Sequence, residues 1–482
     1  MDPLGPLDRW AGDAMERVTR AHHRRRLGQL GWERALDPPD DGSLWCAGDP
    51  PVRTGNALEV LVDGAAALPR IAAEIMGAQS HVHVAGWHLQ AGFGLVRGSE
   101  TTTVRDALSA AAERVPVRVL QWAGAPLPVF PPGRSDVRSG RDALVRDTRI
   151  DAVLDAHERP FHCHHEKLVI VDDRVAFVSG IDMTALGGDR FDSPAHDHRP
   201  LGWHDASSCL RGPAVADVAG HFRARWQEVA GEPLPEPGVP EPAGDVKLQV
   251  VRTLCENMYD FAPRGDFRIL EAYTRALRSA REFVYLENQF LWSPELVAIL
   301  AAKLRDPPTP GFRVVVVLPA KANNGADDTR GQLGVLVEAD DGAGRFLACT
   351  LYARDPGGGP AAAVYVHAKI GIVDDRWLTI GSANVNAHSL YNDGEVNVIT
   401  QDRALARDVR LRLWAEHLET SVDAVSGDPA AVVDEQWRPI AERQRKRLRT
   451  GEPLDHRLAE LAGVSRRSMR LLGPVQGLLV DG

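Results

Sequence analysis

The chain has 482 residues, 44% of them hydrophobic and 25% charged, a globular composition long enough for two or three domains with full cores. Its net charge of −10 argues against a nonspecific nucleic-acid binder, which needs a basic surface, yet allows a local basic pocket. Five scattered cysteines (Cys46, Cys163, Cys209, Cys255 and Cys349) with no CxxC pair read as free thiols in a reducing compartment.

Residues 8–36 read as a helix carrying a basic knot, His22-His23-Arg24-Arg25-Arg26. This is a solvated face or, alternatively, a contact for anionic headgroups. Residues 37–55, rich in Pro, Gly and Asp, read as a linker. From residue 56 strands alternate with helices: strands in ALEVLVD, HVHVAGWHL and VRVLQW, helices over 64–78 and 103–114. That alternation indicates an α/β layer structure. A polar loop, 186–201, precedes a strand over 203–211 and a helix over 214–229. Five prolines within residues 231–245 make a stiff connector. The second half restates the order: helix 266–281, strand FVYLENQFL, helix 294–305, strand FRVVVVLP and a long polar loop, 320–334. A helix over 404–418 precedes a basic tail containing residues 442–449 and 465–472, a charged helical face or a membrane-surface patch. The expected organisation is an N-terminal helix and linker (1–55), a first domain (56–230), the connector (231–245), a second domain (246–424) and a basic helical tail (425–482). No apolar h-region opens the sequence and no run reaches bilayer length, so a cytoplasmic protein meeting membranes only peripherally is expected.

The chemistry is concentrated in a doubled pattern. His165-x-Lys167-x4-Asp172 recurs as His367-x-Lys369-x4-Asp374, and each copy runs into a small-residue turn, Ser179-Gly180-Ile181-Asp182 and Gly381-Ser382-Ala383-Asn384. His165 and Lys167 are two apart and share a face of an extended segment, whereas Asp172 falls on the other face. The histidine and lysine suit an anion with a nucleophile or acid aimed at it, and the aspartate reads as a structural partner. Asn384 can donate to an anion; Asp182 in its place would repel one unless turned away. His162, Cys163, His164 and His165 fall on two faces, and His196-Asp197-His198 has no second ligand pair, so no metal is expected. Laying Gly86 on Asn288 gives the same offset of 202 as laying His165 on His367, which points to a duplication.

The doubled motif resembles the phospholipase D superfamily. Gly202-Trp203-His204-Asp205 and Arg211-Gly212-Pro213 are similar to the first half of its eukaryotic-type enzymes; Tyr285 to Phe290 (YLENQF) and Asn392-Asp393-Gly394-Glu395-Val396 are similar to the second. The resemblance covers roughly residue 56 to the 410s. It implies two similar α-β-α domains in tandem, related by a pseudo-two-fold axis with the active site at their interface. It further implies catalytic roles for His165, Lys167, Asp172, His367, Lys369 and Asp374, with Asp205 and Glu395 as the carboxylates that fix the histidines. Ser179, Gly180, Ser382 and Asn384 would line the phosphate. The implied activity is conversion of a glycerophospholipid to phosphatidic acid plus headgroup, with transfer to alcohols, through a phosphohistidine on His165 and without a cofactor or obligatory calcium. The expected partners are a phospholipid substrate and a membrane surface, not nucleic acid. Alternatives are a phosphatidyltransferase or cardiolipin synthase, a nuclease of the same superfamily, and a non-catalytic lipid- or phosphate-binding protein, which intact His/Lys pairs disfavour. Trp87, Trp203 and Trp292 read as core residues, with choline stacking as the alternative.

Overall fold

The computed structural model describes residues 5–126, 131–159, 162–198, 202–321 and 326–462; the basic run 465–472 lies outside them. Among the described residues, one mixed sheet of 18 strands organises the molecule. From one edge, the first half runs Ile150–Asp155, Val117–Trp122, Val82–Gly86, Leu168–Val171, Val175–Ser179, Ala206–Arg211 and Arg53–Val62; the first three are parallel and the rest antiparallel. Beyond the seam the same order returns reversed: Val246–Leu254, Glu395–Thr400, Trp377–Gly381, Ile370–Val373, Phe283–Glu287, Arg313–Val317 and Phe346–Ala353, with the last three parallel. The seam closes where Arg53 and Asn56 pair with Leu248 and Val246. Register supports the duplication, since Val82 faces Val171 and Val284 faces Val373, a shift of 202 from 82 to 284 and from 171 to 373.

The central strands are buried on both faces, which is why their sequences are continuous apolar runs and not alternating ones. Helices Gly64–Met76 and Val104–Ala112 cover one face of the first half, and Val215–Ala230 the other. One core runs beneath both halves, with Phe222 and Trp226 from the first and Trp414 and Trp437 from the second; the opposite faces carry separate cores.

The motif aspartates sit in the hairpin turns that follow Leu168–Val171 and Ile370–Val373. Asp172 and Asp173 have φ of 58° and 51°, Asp374 and Asp375 of 53° and 46°, left-handed values that Asp tolerates better than most residues. Asp172 accepts hydrogen bonds from the N–H groups of Gln79, Ser80 and His81 at 3.0, 2.7 and 3.1 Å. Asp374 accepts from those of Arg281, Glu282 and Phe283, each at 2.8 Å. Each therefore ties its hairpin to the start of the neighbouring strand, at the end of the motif strand remote from the histidine and lysine.

Several expectations change. Residues 326–340, expected within and beyond a polar loop, form the helix Ala326–Asp340, because Leu333 and Leu336 are buried at helical spacing despite the helix's two glycines, Gly331 and Gly334. The strand expected over 203–211 is broken at Asp205 into Trp203–His204 and Ala206–Arg211. The helix Arg134–Val145 was not anticipated. The N-terminal helix is Gly5–Leu30, followed by a short 3-10 turn, Glu33–Ala35. Its basic knot is partly turned inward: His23 pairs with Glu295 at 2.8 Å and Arg26 with Glu256 at 2.6 Å. The stretch read as a basic tail packs back: helix Arg438–Thr450 leads to Leu458–Glu460, which pairs with Phe346–Ala353, and Arg445 meets Glu460 at 2.5 Å.

Asp374 is buried and satisfies three amides, so Asp374→Ala is expected to cost about 3 kcal/mol of stability, read as a lower midpoint in urea. The half-exposed Asp172 should cost less on the same change, and an equal loss at both positions would refute this reading.

Candidate active site

His165 and Lys167 lie in the extended segment entering Leu168–Val171; His367 and Lys369 lie at the matching place before Ile370–Val373. The two imidazoles face each other across the seam, ring centroids 6.3 Å apart and planes at 69°. They are 3% and 4% exposed.

Each histidine is oriented by the other half. His165 Nδ1 lies 3.1 Å from Glu395 Oε1, and His367 Nδ1 lies 2.6 Å from Asp205 Oδ2. Backbone bonds repeat the exchange: the N–H groups of His165 and Glu166 donate to Gly394 O at 2.8 and 3.0 Å, and those of His367 and Ala368 to His204 O at 2.7 and 3.1 Å. With Nδ1 donating to a carboxylate, each Nε2 is the free atom that can attack or carry a proton.

The turn residues make room for these carboxylates. A Cβ on Gly180 would lie 2.3 Å from Asp205 Oδ1. At the equivalent position, 202 later, Ser382 donates its hydroxyl to Glu395, and Ser389 donates to the same carboxylate at 2.6 Å. Burial pushes Glu395 up to about 8 and Asp205 up to about 7. Burial, helped by the neighbouring lysines, drives both imidazoles well below their ordinary value. Burial is common to both carboxyls; the donor count separates them. Two hydroxyls and an imidazole converge on Glu395, whereas Asp205 accepts from one imidazole and from Ala206 N–H at 2.8 Å. These donors fix Glu395 in place beside His165 without making it the stronger acid, since Asp205 lies lower, at about 7 against about 8.

The two lysines differ. Lys167 Nζ lies 3.1 Å from Asp182 Oδ2, so the aspartate at the small-residue turn is turned onto the lysine. Lys369, fully buried, donates to His367 O and, among the described residues, has no carboxylate within ion-pair distance; burial lowers it to about 7. Asn384, which replaces Asp182 in the repeat, donates to Gln289 at 3.2 Å. Ser179 accepts from Ile181 N–H at 2.9 Å and shapes the turn.

Asp393 does not compete with Glu395 for His165; it accepts from Cys163 N–H at 3.0 Å. The clustered histidines diverge as the strand parity required: His164 turns to Asp155 at 3.3 Å and His162 to His388 at 3.0 Å. Two groups escaped the sequence reading. Ser389 carried no motif signal. Arg190, from the polar loop 186–201, is buried and stacks 4.0 Å over Trp203, whose ring lies 4.6 Å from that of His367. A lone arginine among aspartates was its only trace.

A family model described as "Cardiolipin synthase, PLD-like domain" matches residues 273–415. Phospholipase D A of Dictyostelium discoideum is 25% identical over 347 residues, which cover 53% of this chain and 27% of that protein. The major cardiolipin synthase ClsA of Bacillus subtilis is 23% identical over 376 residues, covering 73% of this chain and 67% of that one. Among solved structures, phosphatidylserine synthase of Haemophilus influenzae matches with a TM-score of 0.50 at 14% identity, over 73% of this chain and 84% of that chain, a likeness of fold alone. The chain thus spans about a quarter of the length of the Dictyostelium relative.

Gly180→Ala should push the Asp205 carboxylate off His367 and lower any turnover of a phosphodiester about 100-fold while leaving the melting temperature nearly unchanged. Gly381→Ala, whose Cβ would meet Val396 O at 2.4 Å, should instead lower the melting temperature, because backbone cannot rotate away. Turnover of a chromogenic diester and a thermal melt separate the two; unaltered turnover in Gly180→Ala would contradict the assignment.

Proposed function

The chain belongs to the phospholipase D superfamily, and within it we propose a phosphodiesterase that converts a glycerophospholipid to phosphatidic acid and its headgroup alcohol, and that passes the phosphatidyl group to other alcohols. The observation carrying this reading is the facing pair of imidazoles, 6.3 Å apart. Reacting atoms sit about 3–3.5 Å apart before attack, so one phosphoryl group between the rings has a nucleophile on one side and an acid on the other.

In the proposed cycle His165 Nε2 attacks phosphorus as the bond to the headgroup oxygen breaks, and the Asp205–His367 pair supplies that oxygen with its proton. His367 then takes a proton from water or an alcohol. The oxygen so freed attacks phosphorus, the P–N bond breaks, and His165 is restored. Lys369, without a carboxylate partner, would balance the non-bridging oxygens, with Asn384 donating alongside; Lys167, already paired to Asp182, adds little net charge. Asp172 and Asp374 act at a distance, as supports of the motif strands.

A second reading differs only in the acceptor. Similarity to ClsA covers more of the chain than similarity to the Dictyostelium phospholipase (73% against 53%), and transfer to a lipid alcohol would use the same intermediate.

Product analysis on mixed phospholipid vesicles containing ethanol distinguishes these. Phosphatidic acid and phosphatidylethanol from the wild type, absent with His165→Ala, is the expected outcome. A diacyl product such as cardiolipin would move the proposal to the second reading, and no lipid product at all would overturn both.

The pH profile is a separate check. Turnover needs one His–carboxyl pair with a proton and the other without. Both carboxyls are raised, Asp205 to about 7 and Glu395 to about 8. Below about 7 both pairs hold a proton and above about 8 neither does; because Asp205 is the stronger acid of the two, the form the cycle uses, with the proton on Asp205–His367 and none on Glu395–His165, is the minor singly protonated one. A narrow bell in kcat/KM centred between these values is expected, its limbs belonging to the coupled pairs together. A profile flat through both limbs would rule this out.

A further inference from the structure

Behind Asp205, and unused by the proposed chemistry, Asp63, His196, His204 and Glu416 converge. Asp63 precedes helix Gly64–Met76, His196 lies in the polar loop, His204 ends the short strand Trp203–His204, and Glu416 comes from helix Arg403–His417 in the other half. One ligand atom from each lies within 4.8 Å of all the others. With Asp63 contributing Oδ2, the edges are 3.4 Å from His196 Nε2 to Glu416 Oε1, 3.6 Å from His204 Nδ1 to Glu416 Oε1 and 3.9 Å from Asp63 Oδ2 to His196 Nε2, while Asp63 Oδ1 lies 3.1 Å from His204 Nδ1. A tetrahedral ion held at about 2.0–2.1 Å has ligand–ligand edges of about 3.3–3.4 Å, so a small contraction of the cluster would seat it.

Asp63 Oδ2, His196 Nε2, His204 Nδ1 and Glu416 Oε1 are all buried without a hydrogen bond of acceptable geometry. Asp63 and His204 are fully buried and His196 is 3% exposed, so water is a poor substitute. The outer contacts are those of metal-bound imidazoles, whose second nitrogen characteristically meets a carboxylate. His204 Nε2 lies 2.9 Å from Glu287 Oε2, and His196 Nδ1 lies 3.3 Å from Asp192 Oδ2. Glu287 is itself held by His417 at 2.8 Å and by the Tyr285 hydroxyl.

The geometry points to a divalent-metal site formed by Asp63, His196, His204 and Glu416, of the four-coordinate N2O2 type that suits Zn2+. Four protein ligands leave no open position, so its role is structural. The ion would join the first half to helix Arg403–His417 and fix the backbone beneath Asp205. That backbone is already tied to the cluster: Asp205 N–H donates to Asp63 Oδ1 at 3.0 Å, and His204 O accepts from His367 N–H at 2.7 Å. Of the run His196-Asp197-His198, only His196 turns in; His198 meets Pro360 O at 3.2 Å. Its partners come from far along the chain, which is why sequence spacing gave no metal signal.

The competing arrangement is protons in place of the ion, with charged imidazoles between the carboxylates. The full chain, purified without metal-affinity resin, would first be assayed for bound metal by elemental analysis, then dialysed against dipicolinate and titrated with Co2+. One Co2+ per chain, with the intense visible absorption of a four-coordinate ion, displaced by one equivalent of Zn2+ and raising the melting temperature, is expected. Glu416→Gln and His196→Gln should each abolish that absorption. A wild-type chain that carries no metal as purified and gives no four-coordinate Co2+ spectrum overturns the proposal whether or not the variants fold. So does uptake unchanged in both variants, which would place the metal elsewhere.

Discussion

The structure depends on an exchange: each half supplies the histidine that the other half's carboxylate holds. Glu395 begins a strand of the second half and fixes His165; Asp205 sits in a strand break of the first and fixes His367. The strand break has a reason here, since a regular strand would keep residue 205 in the ladder, where its side chain could not cross the seam. Paired backbone clamps on Gly394 and His204 set the height at which the rings meet. Neither half alone can therefore present an oriented imidazole. The sheet pairing of Arg53–Val62 with Val246–Leu254 makes the active-site geometry a property of the closed molecule, not of either repeat.

Within this exchange the symmetry is broken where the proposed cycle needs two different groups. Gly180 and Asp205 on one side answer to Ser382 and Glu395 on the other. The longer carboxylate comes with hydroxyls that anchor it, and the shorter with a glycine that leaves it space. Asp182 answers to Asn384, so one lysine is neutralised and the other is not. Two buried lysines without a counter-ion, side by side, would repel each other strongly at low dielectric. Pairing one of them with Asp182 relieves that repulsion and leaves Lys369, among the described residues, as the lysine at the seam without a carboxylate partner.

Much of this was legible in the sequence. The α/β class, the 202-residue repeat and the paired His/Lys motifs follow from periodicity and spacing, because they depend on side chains near one another in the chain. The turn at Asp172 and Asp374 was legible only in part: strand parity placed the carboxylate away from the lysine, but its grip on the amides of the neighbouring strand is a long-range fact. The asymmetry at Asp182 read as a repulsion, because sequence gives no hint that Lys167 reaches it. Ser389 and Arg190 were invisible, one an ordinary helical serine and the other hidden in a polar loop. Helix Ala326–Asp340 was lost to its glycines, where tertiary burial of Leu333 and Leu336 outweighs local propensity.

The seam is flanked by an unusual amount of buried charge. In the first half Arg225 bridges Asp155 at 2.6 Å and also meets Glu166, which accepts from His221 at 2.7 Å. On the other side Glu287 gathers His204, His417 and Tyr285. Buried ion pairs rarely stabilise a fold more than well-packed apolar residues of the same volume would, so stability does not explain them. They share a location: Glu166 follows His165, and His204 precedes Asp205. Each network fixes the backbone next to a proposed reacting group through several strong, directional contacts, and apolar packing cannot supply direction. The proposed cycle requires two imidazoles held at one separation while a phosphoryl group passes between them. Rigid ionic anchoring on both sides of the seam meets that need at some expense of stability.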